Sequence, residues 1–396
     1  MEHSFSIDHM NKKFVIAASV LMFGISTYFS YAFFNPIVGK GASGGAFTPV
    51  ADDIIEAETE DGEFEGARKQ ECPINGEMLT DKHRSNWEKR RPLGVAIENS
   101  TDARPQSGLT SADAVYEFVA EGGITRFLGI FYCRDAKFVG PVRSARVYFI
   151  DMLQGYGNFP LYAHVGGANT PGPADALGKI DKLKWSRYND MNQFSIPFPT
   201  YYRDYSRLGD VATEHTMYSS TTKLWEFAAS KRNLTNVDED GTKWDETYTP
   251  WTFVDGKAGT GTTNAISYDF WTGKAAWAVS WKYDSAANSY IRSHGDKVVH
   301  TDLNNKKPIS PKNVIVMLVK ESIANDGYEG QHMLYGTQGK GDAFVFQNGD
   351  EPIKATWRKA KETDLVRFYD SSGEEIPMVR GQVWISGIPI GNEVTY

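Results

Sequence analysis

Cysteine is almost absent from this chain: Cys72 and Cys133 are the only two in 396 residues. That excludes a disulfide-dense scaffold and any zinc or iron–sulfur site built on four thiolates. Basic residues are in deficit, 42 lysines and arginines against 50 aspartates and glutamates, giving a formal net charge of −8. Such a chain lacks the cationic surface that displaces counterions from a phosphate backbone, so nucleic acid is not an expected partner. No His-Glu-x-x-His pair occurs, and Gly336-Thr-Gln-Gly-Lys-Gly341 lacks the Lys-Ser/Thr step of a phosphate-binding loop. Neither a metal nor a cofactor is expected. Ser220-Thr-Thr-Lys223 matches the start of penicillin-recognising enzymes but has no Ser-Asp-Asn or Lys-Thr-Gly companion, so Ser220 is read as a helix cap, with Ser219 or Ser220 capping a helix over Thr221 to Ala229. What the chain does have is 41% hydrophobic and 13% aromatic residues, enough to build real cores.

Long apolar runs are confined to one place. Phe14 to Phe34 is 21 residues without a charge, which as a helix spans roughly 30 Å, one hydrocarbon core. Lys12 and Lys13 precede it and the next positive charge is Lys40. The positive-inside bias therefore predicts a cytoplasmic tail over 1–13, a transmembrane helix over 14–34 and everything later outside the cytoplasm. A cleaved signal peptide ending at Ser30-Tyr31-Ala32 is the competing reading. Residues 35–80 read as a flexible linker. Gly39 to Gly45 is small-residue-rich, and Asp52 to Glu65 holds eight acidic residues and no basic one, a self-repelling and extended composition.

Two folded parts follow, an N-terminal one over 81–235 and a smaller β-rich one over 265–396. Pro92 to Ile97 is a short apolar run suited to a buried strand. Val115 to Tyr132 reads as a hairpin turning at Gly122-Gly123, whose register pairs Glu121 with Ile124, Val119 with Arg126 and Glu117 with Leu128. Ser144 is a candidate N-cap for a helix running to about Gln154, and Leu161 to Val165 reads as another strand. In the second part Trp277, Val279, Trp281 and Tyr283 alternate with smaller or polar residues, a strand period. Val314 to Val319, Ala343 to Phe346, Leu365 to Tyr369 and Val383 to Ile385 are further short apolar runs. In an extracytoplasmic setting Cys72 and Cys133 can pair, but two cysteines alone do not decide it.

Several long motifs, in order, carry a resemblance. Arg104-Pro-Gln-Ser-Gly-Leu109, Ala112-Asp-Ala-Val-Tyr-Glu117, Glu121-Gly-Gly-Ile-Thr-Arg-Phe127, Gly140-Pro-Val-Arg-Ser-Ala-Arg146 and His164-Val-Gly-Gly167 are followed by Glu214-His215 to Tyr218. Near the C-terminus stand Tyr283-Asp284 to Arg292, His300-Thr-Asp302, Gly339-Lys-Gly341, Asn348-Gly349 and Trp357. Together they resemble the YerB family of bacterial envelope proteins, domains of unknown function. The resemblance implies an α+β fold of layered sheet and helices, a second family domain at the C-terminus, and an extracytoplasmic, usually lipid-anchored setting. It names no reaction. This chain has no lipobox cysteine, and a transmembrane helix would serve in its place.

The candidate site is an anion pocket. Arg143 and Arg146 are three residues apart near the expected start of a helix, whose free N–H groups favour negative charge. Arg104 and Arg126 can complete it, with Ser144, His164, Gly166 and Gly167 alongside. The expected ligand is an anionic envelope molecule, such as a polymer or lipid phosphate, or a wall-maintenance partner protein. The bland reading pairs these arginines internally with Asp113, Glu117, Glu121 or Asp151. The rival is a hydrolase using Glu98, Glu117 or Glu121 with His215 or His164. Against it, Glu117 and Glu121 on one strand lie about 13 Å apart, too far for a glycosidase pair. His294, Asp296, His300 and Asp302 read as an exposed strand end rather than as metal ligands.

Overall fold

The computed structural model describes residues 64–259 and 261–396. The expected transmembrane helix and most of the linker lie outside these residues. Among the described residues no helix is long and apolar enough to cross a membrane. Order begins before the expected linker end at residue 80. Gln70–Glu71 pairs with Met78–Leu79, and Cys72 is bonded to Cys133 with their Cα atoms 5.9 Å apart.

A ten-stranded mixed sheet organises the fold. The N-terminal half supplies β1 (Leu93–Glu98), β2 (Ala114–Glu121), β3 (Ile124–Phe131), β4 (Leu161–His164) and β5 (Asp190–Asn192). The C-terminal half has a small four-stranded sheet, ordered β8–β7–β6–β14, of β6 (Ala265–Tyr268), β7 (Val279–Asp284), β8 (Ser289–His294) and β14 (Val394–Thr395). Its other strands, β9 (Asn313–Val319), β10 (Gly339–Gln347), β11 (Ile353–Lys359), β12 (Arg367–Tyr369) and β13 (Val383–Pro389), join the large sheet in the order β12–β11–β10–β9–β13–β2–β3–β1–β4–β5. The two halves therefore share one sheet, joined by the parallel pairing of β13 with β2. All six residues of β1 are buried, as a run covered on both faces must be. The expected runs at 314–319, 343–346 and 383–385 are all strands, because each is long enough to cross a sheet and too short for a helix.

One face of the sheet carries α2 (Val147–Leu153), which follows α1 (Asp81–Trp87) in the chain. Phe149 of α2 meets Phe118 edge-on, and Leu153 fills the space above Gly94. The other face is covered by the small sheet: Trp281 packs edge-on against Trp384 at 5.5 Å, and Tyr268 Oη lies 2.8 Å from Ser386 Oγ. Val279, Trp281 and Tyr283 point inward as their alternation predicts. Trp277 does not continue the strand but sits in a 3-10 turn and donates to Asn99 O at 2.7 Å. Two further helices are α3 (Ala176–Lys182) and α4 (Thr221–Arg232), the latter capped by Ser220 Oγ accepting from Lys223 N.

The β2–β3 hairpin corrects the expected register. Gly122 and Gly123 turn the chain with positive φ, and Glu121 faces Ile124. Beyond that pair, Val119 meets Thr125, Phe118 meets Arg126 and Glu117 meets Phe127. Ala120 is the extra residue of a bulge, and such an insertion switches the face of everything beyond it. Glu121 thus lies on the α2 face with Arg126, while Glu117 points to the small sheet, so the two cannot act as a pair.

On that second face Glu117 is fully buried and accepts two bonds from Arg292, each 2.9 Å, plus one from Thr125 and one from Trp384. His294 and His300 each lie 3.1 Å from Arg292. They are buried, not an exposed strand end, because the sheets close over them. Asp302, also buried, accepts from Gly108 N and from Thr110 N and Oγ1. Burial, then the charge of Arg292, pulls His294 down to about 2, and the same causes hold His300 well below its usual value. An unfolded chain takes up protons on both below about pH 6.5 that the fold refuses. Stability contributed above that pH is therefore lost on acidification, by up to about 1.4 kcal/mol per pH unit per histidine. Denaturant melts between pH 7 and 5 check this, and His294→Gln should flatten the slope.

Candidate functional site

The segment Val142–Arg146 lies between two others. Its outer side is bonded through Val165 N to Arg143 O (3.1 Å) and Ala145 N to Gly166 O (2.9 Å). Its inner side meets β1 through Arg143 N to Ala96 O (2.8 Å), and Val142 N reaches Met217 O (2.7 Å). This zipper brings Arg143, Ser144, Arg146, His164, Gly166, Gly167 and His215 into one neighbourhood. The helix starts later than expected: Arg146 is the N-cap position of α2, without a side-chain cap bond, and Ser144 is not the cap. Ser144 instead gives its carbonyl to Arg126 at 3.1 Å. A seven-residue helix without such a cap is no anion site by itself.

Three of the four candidate arginines gather on the α2 face. Arg126 and Arg146 are both buried and share the carboxylate of Glu121, Arg126 at 3.0 Å and Arg146 in close contact. Their Nε atoms find no hydrogen-bond partner among the described residues. Burial lowers both guanidinium pKa values, with Glu98 the chief opposing influence on Arg126. Arg143 is one-quarter exposed; its Nε binds Glu98 at 3.1 Å and its outer nitrogen reaches the exposed Glu214 at 3.4 Å. His215 Nδ1 lies 2.8 Å from the other oxygen of Glu98. Arg104 is on the opposite face with Asn99 and Ala276, held to about 10 by burial and the charge of Arg292.

His164 has no exposed surface and uses both ring nitrogens, on Asp190 (2.5 Å) and Gly166 O (2.7 Å). Gly166, at positive φ, is overlain by the ring of Phe194, and Gly167 packs against Ala145 and Leu177. A cleft of about 260 Å³ elsewhere is lined by Glu88, Tyr132, Asn236, Lys243, Trp244 and Asp245 and contains none of these residues. Glu214 and Arg292 were not singled out as site or partner residues in the sequence. Glu214 adjoins His215 in a resembling motif, whereas nothing in one sequence links Arg292 to Glu117, 175 positions away.

Family models meet this geometry over most of the described chain. Residues 79–235 match the N-terminal domain, and residues 266–385 the C-terminal domain, of the family described as "Protein of unknown function (DUF3048)". The chain belongs to this family. A relative named "Putative lipoprotein YerB", from Bacillus subtilis (strain 168), is 30% identical over 340 residues, covering 85% of this chain and 91% of its own. The crystal structure of YerB protein from Bacillus subtilis superimposes with a TM-score of 0.66 at 27% identity, covering 83% of this chain and 100% of that one. In the DUF3048 fold as this chain shows it, the family's N- and C-terminal domains both contribute to the large sheet, with strands pairing directly across the boundary.

Proposed function

We propose that this chain is a membrane-anchored, extracytoplasmic envelope protein that binds an anionic envelope ligand at Arg143 without transforming it. The relative's lipoprotein name supports the setting, and the apolar run 14–34 supports a single-pass anchor. The observation that carries the binding role is the charge count on the α2 face. Three guanidinium groups there are bonded to two inner carboxylates, buried Glu98 and partly buried Glu121. Among the described residues the further side-chain partner of Arg143 is Glu214, in an exposed ion pair of the kind worth little in water. A phosphate or carboxylate can take the place of Glu214 and accept a charge-assisted bond.

A second reading rests on Glu98 and His215, which lie within hydrogen-bond distance as an acid–base pair requires. Glu98 is also neutralised by Arg143, which favours a positioning role for it. The test is titration of the chain with phosphorylated and peptidic wall fragments, with mass spectrometry of the mixture. Binding should weaken about tenfold or more in Arg143→Ala, decline as salt rises, and yield no altered fragment. A time-dependent product lost in Glu98→Gln would establish the hydrolase instead.

A further inference from the structure

Soluble surfaces rarely show large aromatic side chains in clusters, yet Phe194, Phe198 and Tyr205 are 77%, 66% and 58% exposed within twelve residues. Backbone bonds put the segments that carry two of them on either side of the Arg143 segment, in one row of neighbouring strands. At one end the ring of Phe194 lies over Gly166, and Asn192 Oδ1 accepts from both Gly166 N and Phe194 N at 3.2 Å. Gly166 is bonded to the 143–145 segment. That segment is bonded on its far side to Met217, and the next residue in the ladder, Thr216, accepts from Asp204 N at 2.8 Å, immediately before Tyr205. Three strand spacings of about 4.8 Å separate the segment of Gly166 from that of Asp204, about 14 Å measured across the strands, with a further offset along them between Ala145 and Val142.

We infer that this row is a subsite for an acidic oligosaccharide, whose carboxylate or phosphate sits on Arg143 while flanking sugar rings stack on Phe194 and Tyr205. The inference rests on the anion-binding reading above and adds the ligand's class. Aromatic faces offer apolar area with defined geometry and little conformational cost, which suits the C–H faces of sugar rings. A central cation between two such faces matches a charged sugar within a short chain. A bilayer would use the aromatics without needing Arg143 between them.

The full-length chain in detergent is titrated with a tetramer of glucuronic acid, with tripolyphosphate, and with phosphatidylglycerol vesicles. The double variant Phe194→Ala/Tyr205→Ala alters exposed side chains and should keep the wild-type unfolding midpoint; the more conservative Phe194→Leu/Tyr205→Leu serves if it does not. The expected result is a loss of about tenfold in affinity for the uronate, with tripolyphosphate binding unchanged. Uronate binding equal to wild type, or vesicle capture that depends on the aromatics while uronate is not bound, overturns the inference. Failure of Arg143→Ala to weaken either anion overturns the underlying reading instead, so the two failures are told apart.

Discussion

Arg292→Met is expected to lower the unfolding free energy by about 3–5 kcal/mol, because it strands the Glu117 carboxylate in a buried site. Glu117 has no exposed surface, and its two bonds to Arg292 cross from the large sheet to the small one. Thr125 and Trp384 cannot replace a full counter-charge. The hydrophobic double variant Glu117→Leu/Arg292→Leu should recover much of the loss, since removing both charges also removes their desolvation cost. Urea denaturation of the three proteins checks this. A single variant within about 1 kcal/mol of wild type would mean that the pair does not hold the layers together.

The second large effect concerns the Cys72–Cys133 bond, which closes a loop across 61 positions. In chain-entropy terms such a bond stabilises the fold by about 4 kcal/mol, and Cys72→Ala/Cys133→Ala should lose most of it. The bond fixes the point where the chain enters the fold. Next to it buried Asp113 accepts from Tyr132 N (2.7 Å), Cys133 N (3.0 Å) and Asn75 Nδ2 (3.1 Å), and burial lifts its carboxyl to about 7. Those bonds hold Asn75 and Cys133 to the same carboxylate, but they do not limit the unfolded chain as a covalent link does. Thermal melts of oxidised wild type and the double variant provide the test, and coincident curves would refute it.

Local features were legible where one physical signal dominated. Short apolar runs became strands, and Ser220 caps its helix because its hydroxyl reaches Lys223 N. The hairpin turn was legible from two adjacent glycines, but its register was not. A bulge at Ala120 leaves no mark in composition, yet it decides that Glu121 rather than Glu117 joins Arg126. Long-range partners were equally hidden: Arg104 and Arg126 look equivalent in sequence and lie on opposite faces of the sheet. The bland alternative for the arginines proved half apt. Glu121 does pair with two of them, while Glu98, read as a catalytic candidate, is the buried partner of Arg143.

Competition for Arg143 provides the most direct measurement. Glu214 holds its outer nitrogen at 3.4 Å from the exposed side, so an incoming anion must displace it. Isothermal titration of Glu214→Gln with tripolyphosphate at two salt concentrations should give tighter binding than wild type, by about two- to fivefold at low salt, with the advantage shrinking at high salt. Binding that is weaker or unchanged in Glu214→Gln would contradict an anion site at Arg143.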